Sequence, residues 1–193
     1  MMIRAQKQHQ ARVIDLICYA FKDDPQLLAY TNGEPAKIRL IARLAFETCL
    51  ASNTIFLTDD LNAVALCKPS IGKGFYVKPF LINLMFPFVF GFKPLKNLMR
   101  IESVLEKTRQ KTKDSLYIWM LATDPKQQGK GLGSLLLNHV DDLLPNTYPT
   151  IFLETAKESN MLYYTKRGYV LYDLMTLAPN LKVFFMRKAK ASS

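Results

Sequence analysis

Glycines at alternate positions, Gly129, Gly131 and Gly133, lie between an apolar run ending at Ala122 and an apolar-periodic stretch that begins at Leu132. Without Cβ atoms the chain can take positive φ there, so successive backbone N–H groups can converge on one anion. A helix that starts at this point adds the positive end of its dipole. Lys126 and Lys130 place mobile positive charge in the same turn. The chemistry these residues suit is the holding of a phosphate. The spacing is not that of a P-loop, which needs Gly-x-x-x-x-Gly-Lys followed by Ser or Thr. It also lacks the Gly-x-Gly-x-x-Gly pattern and downstream acid of a dinucleotide fold. A nucleoside triphosphate or nicotinamide ligand is therefore disfavoured.

Few other residues offer chemistry by type alone. His9 falls near a helix start and His139 on the helix after the glycine turn, positions that suit packing or surface roles. Cys18, Cys49 and Cys67 are odd in number, widely separated and free of Cys-x-x-Cys spacing, so neither a disulfide framework nor a metal site is expected. Cys67 has no evident His partner to activate it as a nucleophile.

Two stretches carry a resemblance to a known family. Gln128-Gly-Lys-Gly-Leu-Gly133 resembles the Gln/Arg-x-x-Gly-x-Gly/Ala pyrophosphate loop of the GNAT superfamily of N-acetyltransferases. Asn160-Met-Leu-Tyr-Tyr164-Thr-Lys-Arg-Gly168-Tyr169 resembles that family's later element, in which an Asn is followed four residues on by a Tyr, then by Gly-Phe or Gly-Tyr opening a strand. Ala20-Phe-Lys-Asp-Asp-Pro25 is similar to the stretch after the first helix in a bacterial branch that includes puromycin-type acetyltransferases.

The resemblance implies acetyl-CoA as donor and direct transfer of its acetyl group, within a ternary complex, to a primary amine of a small molecule or, as second choice, of a peptide or protein. It implies cofactor contacts at Gln128, Gly129, Lys130, Gly131, Leu132, Gly133, Ser134 and Asn160. It also implies backbone donors near Leu121, Ala122 and Thr123, where a bulge in the central strand faces the pantetheine and the thioester carbonyl. Tyr164 takes the position of the family's general acid, and a phenol with a pKa of about 10 is protonated at neutral pH. The base is less clearly marked. Family members often carry a carboxylate on the central strand, whereas Tyr117, Ile118, Trp119 and Met120 supply none. Glu154, at the end of the neighbouring strand, is the substitute, acting directly or through water, with pairing to Lys157 as its alternative role. Asp23 and Asp24 can attract a cationic amine at the pocket mouth or form a polar turn that ends a helix. The missing strand carboxylate keeps a second function open: a catalytically silent CoA-binding sensor or partner-binding module of the same fold.

The elements that must position these residues follow from periodicity. A short strand at Met2 to Ala5 precedes a helix with Val13, Ile14, Ile17, Ala20 and Phe21 inward, stopped at Asp23-Asp24-Pro25. A helix over Lys37 to Leu50 is followed by strands Thr54 to Thr58 and Ala63 to Cys67 joined as a hairpin. Phe75 to Leu95 is apolar and aromatic but interrupted by lysines, prolines and Gly91, and its uncharged core is shorter than the roughly 20 residues that span a bilayer. It is expected as a buried helical insertion, around residues 75–110, with a membrane-surface or acyl-chain site as the other reading. An amphipathic helix continues from Leu95 to Lys113. Ser115 to Ala122 is the central strand, Leu132 to Leu143 a helix, Pro149 to Glu154 a strand, Met161 to Arg167 a short helix, and Tyr169 to Leu177 and Leu181 to Arg187 the last strands. The fold class expected from the resemblance is a mixed α/β domain, with a central, mostly antiparallel twisted sheet of 6–7 strands flanked by helices.

Composition agrees with one such domain. A chain of 193 residues is long enough to bury roughly 70% of its unfolded surface in one core. The formal charge of +10 favours anionic ligands. Its cations are scattered, without a run of five or interleaved aromatics, so no nucleic-acid partner is expected. No export signal is apparent at the N-terminus, and the chain is read as cytoplasmic, without a membrane partner, as a monomer or a homodimer.

Overall fold

The computed structural model describes residues 1–70, 77–109, 115–143 and 147–189. The chain runs β1 (Met2–Arg4), α1 (Gln10–Ala20), α2 (Pro25–Thr31), α3 (Pro35–Ala51), β2 (Ile55–Thr58) and β3 (Ala63–Pro69). It continues α4 (Val77–Asn83), α5 (Phe86–Phe90), α6 (Phe92–Arg109), β4 (Ser115–Thr123), α7 (Leu132–Asp141), β5 (Thr150–Thr155), α8 (Glu158–Thr165), β6 (Val170–Ala178) and β7 (Leu181–Ala189). The strands form one seven-stranded sheet in the order β1-β2-β3-β4-β5-β7-β6, antiparallel except for the β4–β5 pair.

Strand alternation divides the core between two faces. Ile55, Leu57, Val64, Leu66, Met120 and Ala122 pack with α1 and α3, while Phe56, Ala65, Cys67, Ile118 and Leu153 pack with α7 and with Tyr164 of α8. A third cluster joins Leu105 of α6 to Val183 and Phe185 of β7.

The sheet opens in the middle. β4 pairs with β5 only from Ser115↔Thr150 to Ile118↔Leu153. Beyond that point β4 stays on β3, from Met120↔Leu66 to Thr123↔Ala63, while β5 stays on β7 through Glu154↔Phe185 and Thr155↔Phe184. The cause is local. Adjacent residues Leu66 and Cys67 pair with Met120 and Ile118, which leaves Trp119 as an extra residue in β4. Such a bulge bends its strand and increases the twist.

Two expectations need correction. Asp23-Asp24-Pro25 does more than stop a helix, because Asp24 caps α2, which the sequence reading left out; its carboxylate accepts from the backbone N–H groups of Gln26 and Leu27, with Pro25 at the first helical position. The insertion is helical but not buried throughout. Ile82, Phe86, Phe90 and Leu98 face the core, whereas Leu81, Leu84, Met85, Phe88 and Phe92 are exposed. Phe75 and Tyr76 at its start, and residues 110–113 at the end of the expected amphipathic helix, lie outside the described residues.

Candidate active site

The glycine turn is anchored from behind. Asp124 accepts from the backbone N–H of Lys126 and from the Arg12 guanidinium at 3.0 Å each, and Arg12 also donates to the carbonyl oxygen of Leu61 and to Asn62. The N–H of Lys126 and the Arg12 guanidinium hold the Asp124 carboxyl below its ordinary pKa, so the anchor stays ionised at neutral pH. Gly129 and Gly131 have φ of +82° and +80°, and Gly131 is the residue from which α7 starts. A Cβ at either glycine would meet no atom within 4 Å, so the backbone there lines open space. At Gly133 a Cβ would lie 3.5 Å from the Thr123 hydroxyl and 3.6 Å from that of Tyr163, which marks a close approach of α7 to β4 and α8.

This turn walls a cavity of about 460 Å³, together with Leu121, Ala122, Thr123, Gln128, Leu132, Ser134, Asn160 and Tyr164. The sequence-designated cofactor residues therefore surround one space, with one departure. Lys130 does not line it; its ammonium donates to the Gln127 side chain at 2.7 Å. Tyr163 and Lys157 also line the cavity, and the sequence reading had assigned neither a cofactor role. The Tyr163 hydroxyl lies 3.1 Å from Ser134 Oγ, and Arg167 donates to Ser134 while its guanidinium sits 3.6 Å from the centre of the Tyr163 ring. Four residues apart on and just beyond α8, Tyr163 and Arg167 share one helix face, the spacing that would have revealed the pair.

A second cavity of about 210 Å³ lies on the α1–α6 side of the sheet. The two cavities share Phe21, Asp24, Leu121, Asn160 and Tyr164, and so meet where β4 and β5 separate. Tyr164 is 9% exposed, and burial pushes its phenol above the ordinary value, keeping it protonated. Asn160 donates to the Thr155 hydroxyl at 3.3 Å, an anchor across the β5–α8 turn. Asp24 is held by its two backbone contacts at the junction, and burial raises its carboxyl above the ordinary value.

Glu154, the base that the sequence suggests, lines the second cavity but has a different ion partner from the one expected. Its side chain is 6% exposed and its partner is Arg109, from the end of α6, rather than Lys157. Arg109 donates from Nε to Oε2 at 2.8 Å and from Nη2 to Oε1 at 2.5 Å, and Gln26 donates to Oε1 at 2.8 Å. A bidentate, charge-assisted pair of this kind fixes the orientation of the carboxylate. Asp23 is displaced from the site: it is exposed, within 3.8 Å of Lys22, and lines neither cavity. The histidines stand apart as well. His9 accepts from the backbone N–H of Gln6, and His139 packs edge-on against Phe56. No cluster of three or more His, Cys, Asp or Glu able to hold a metal occurs among the described residues.

A family model for the acetyltransferase (GNAT) domain matches residues 101–171, which run from α6 through the glycine turn to the start of β6. No curated protein matches the chain. Among solved structures, one described as histone acetyltransferase HPA2 and related acetyltransferase from Corynebacterium glutamicum is 20% identical over 100% of this chain and 97% of its own, with a TM-score of 0.70. Arylalkylamine N-acetyltransferase 2 from Aedes aegypti is 16% identical over 98% of each chain, with a TM-score of 0.70. The polyamine N-acetyltransferase of Drosophila melanogaster, which forms N-acetylagmatine, is 13% identical over 98% of this chain and 99% of its own, at 0.69. At these identities the likeness is one of fold. Fold and matched segment together define the class of architecture: a single α/β domain with a GNAT-like fold, whose segment 101–171 is similar to the acetyltransferase model.

Proposed function

We propose that the protein transfers an acetyl group from acetyl-CoA directly to a primary amine of a small molecule. The observation that carries this reading is the meeting of the two cavities at Asp24, Leu121, Asn160 and Tyr164, one cavity lined by the glycine turn and the other by apolar side chains together with Glu102, Arg109 and Glu154. The glycine cradle fits a pyrophosphate. Gly129 and Gly131 leave open space over their backbone, and the first N–H groups of α7 have no intrahelical partner to compete for them. Acetyl-CoA would be held there and supply the thioester whose carbonyl carbon accepts the amine.

The residues divide the remaining work. Backbone N–H groups of β4 beyond the Trp119 bulge are fixed before charge develops, which suits them to stabilise the oxyanion. Asp24 takes the proton that the ammonium group of the acceptor must lose, which frees the nitrogen lone pair to form the N–C bond, a role consistent with its raised pKa and its position between the cavities. Tyr164 donates its proton to the departing thiolate as the C–S bond breaks. Glu154 and Arg109 act as a structural pair that ties α6 to β5 in the wall of the acceptor cavity. Polar groups in that cavity, with Asp24, Glu102 and Glu154 against Arg109, sum to a negative charge that favours a cationic acceptor. Small amines are the acceptors named for the insect proteins of similar fold. Cys18, Cys49 and Cys67 are free thiols, which suits a reducing cytoplasm.

Unfolding with and without acetyl-CoA tests the donor half of this reading. A ligand bound only by the folded state stabilises by about 2.7 kcal/mol at a hundredfold excess over its Kd. A clear rise in Tm is expected, and no rise at saturating acetyl-CoA would overturn the cofactor assignment.

A further inference from the structure

The insertion preceding the central strand has a face that the proposed chemistry does not use. Ile82, Phe86 and Phe90, spaced by four, are buried against the core, and Phe86 with Leu98 lines the acceptor cavity. Leu84 in the turn after α4, Phe88 in α5 and Phe92 at the start of α6 are exposed instead. Phe88 and Phe92 are 89% and 83% exposed, and Leu81, Met85 and Met99 are also largely exposed. An apolar concentration of this kind marks an interaction site.

Charge identifies what it meets. Between Asp60 and Glu102 the sequence contains no acidic residue, while Lys78, Lys93, Lys96 and Arg100 stand exposed among the apolar side chains. A symmetric dimer through this face would bring the four cations of one copy against those of the other, in a chain that already carries +10. An anionic bilayer instead satisfies both features: phenylalanine, leucine and methionine enter the headgroup boundary, and lysine ammonium groups reach the lipid phosphates along their apolar stems. No helix among the described residues is long and apolar enough to cross a membrane, so the contact lies on the surface.

We propose that α4, the turn after it, α5 and the start of α6 form a docking surface for an anionic lipid bilayer, such as the inner face of a plasma membrane. The acceptor cavity lies on the inner side of the same helices, so docking places the membrane next to the wall of the acceptor site.

Flotation of the full chain with phosphatidylcholine vesicles, with and without phosphatidylserine, tests the proposal. The protein should float with the serine-containing vesicles and be released by raised salt. Phe88→Asp/Phe92→Asp should abolish flotation. Lys93→Glu/Lys96→Glu should weaken it by about tenfold or more, since each cation near a charged surface contributes appreciably. Circular dichroism and turnover of a soluble amine should be unchanged in both variants, which separates this result from the fate of the transferase reading. Absence from both lipid fractions would overturn the proposal, as would equal binding to neutral vesicles that Lys93→Glu/Lys96→Glu leaves unaltered. Sedimentation as a dimer that Phe88→Asp/Phe92→Asp dissociates, without vesicle binding, would overturn it in favour of a second copy of the chain.

Discussion

Tyr164, Asp24 and Glu154 are the residues on which the account divides function from framework, and each makes a separable prediction. Tyr164→Phe retains the ring that packs against Tyr163 and Tyr169 but removes the proton donor. It should lower kcat by about a hundredfold, the lower end for loss of a positioned acid, with Tm little changed. Asp24→Asn keeps an effective helix cap, because asparagine caps as well as aspartate. It removes the carboxylate, so kcat/KM for the amine should fall while acetyl-CoA binding persists. The sign of the pH dependence follows from burial. The Asp24 carboxyl is raised, so the ionised form that accepts the proton is lost as pH falls through a value above the ordinary carboxylate range. The acidic limb of kcat/KM should lie correspondingly high in the wild type and disappear in Asp24→Asn. Glu154→Gln should leave that limb in place and lower stability instead, because its carboxylate is already committed to Arg109. A pH–rate profile of the two variants decides between the carboxylates.

At the scale of elements, the site depends on a bulged strand, a glycine turn and a helix pinned across the sheet. Gly131→Ala places a Cβ in open space but at φ +80°, so strain rather than collision sets its effect. A cost of about 1–2 kcal/mol is expected in chemical denaturation, with a higher KM for acetyl-CoA and an unaltered KM for the amine. Arg109→Met leaves Glu154 buried without its cation, and breaking a buried pair costs about 3–5 kcal/mol. Its denaturation midpoint should fall far more than that of Gly131→Ala.

The glycine turn and Tyr164 were legible in the sequence because each belongs to a contiguous motif whose spacing reflects local backbone geometry. The Arg109–Glu154 pair was not, since its partners lie 45 positions apart and meet only when the end of α6 reaches β5. In the sequence Asp24 reads either as a polar turn residue or as an acid that attracts a cationic amine at the pocket mouth. Its place between two cavities depends on α2, a seven-residue helix too short to show periodicity. The opening of the sheet was expected near Leu121 to Thr123, and the extra residue that produces it is Trp119, which no pattern of types distinguishes from its neighbours.

For the molecule as a whole, the positive charge and the divided sheet both bear on the proposed reaction. A net charge of +10 attracts a donor bearing several phosphates, so KM for acetyl-CoA should rise with ionic strength while kcat changes little. The two cavities meet at residues common to both, which in the proposed reaction lets donor and acceptor bind together and react without a covalent enzyme intermediate. The central claim is that an amine in one cavity takes the acetyl group from a donor in the other. Its most direct measurement is the release of CoA thiol when the protein is mixed with acetyl-CoA and a panel of arylalkylamines and polyamines, with Asp24→Asn alongside. The account predicts amine-dependent thiol release that is strongly reduced in the variant. Tight binding of acetyl-CoA with no release across the panel, or release equal in Asp24→Asn, would contradict it.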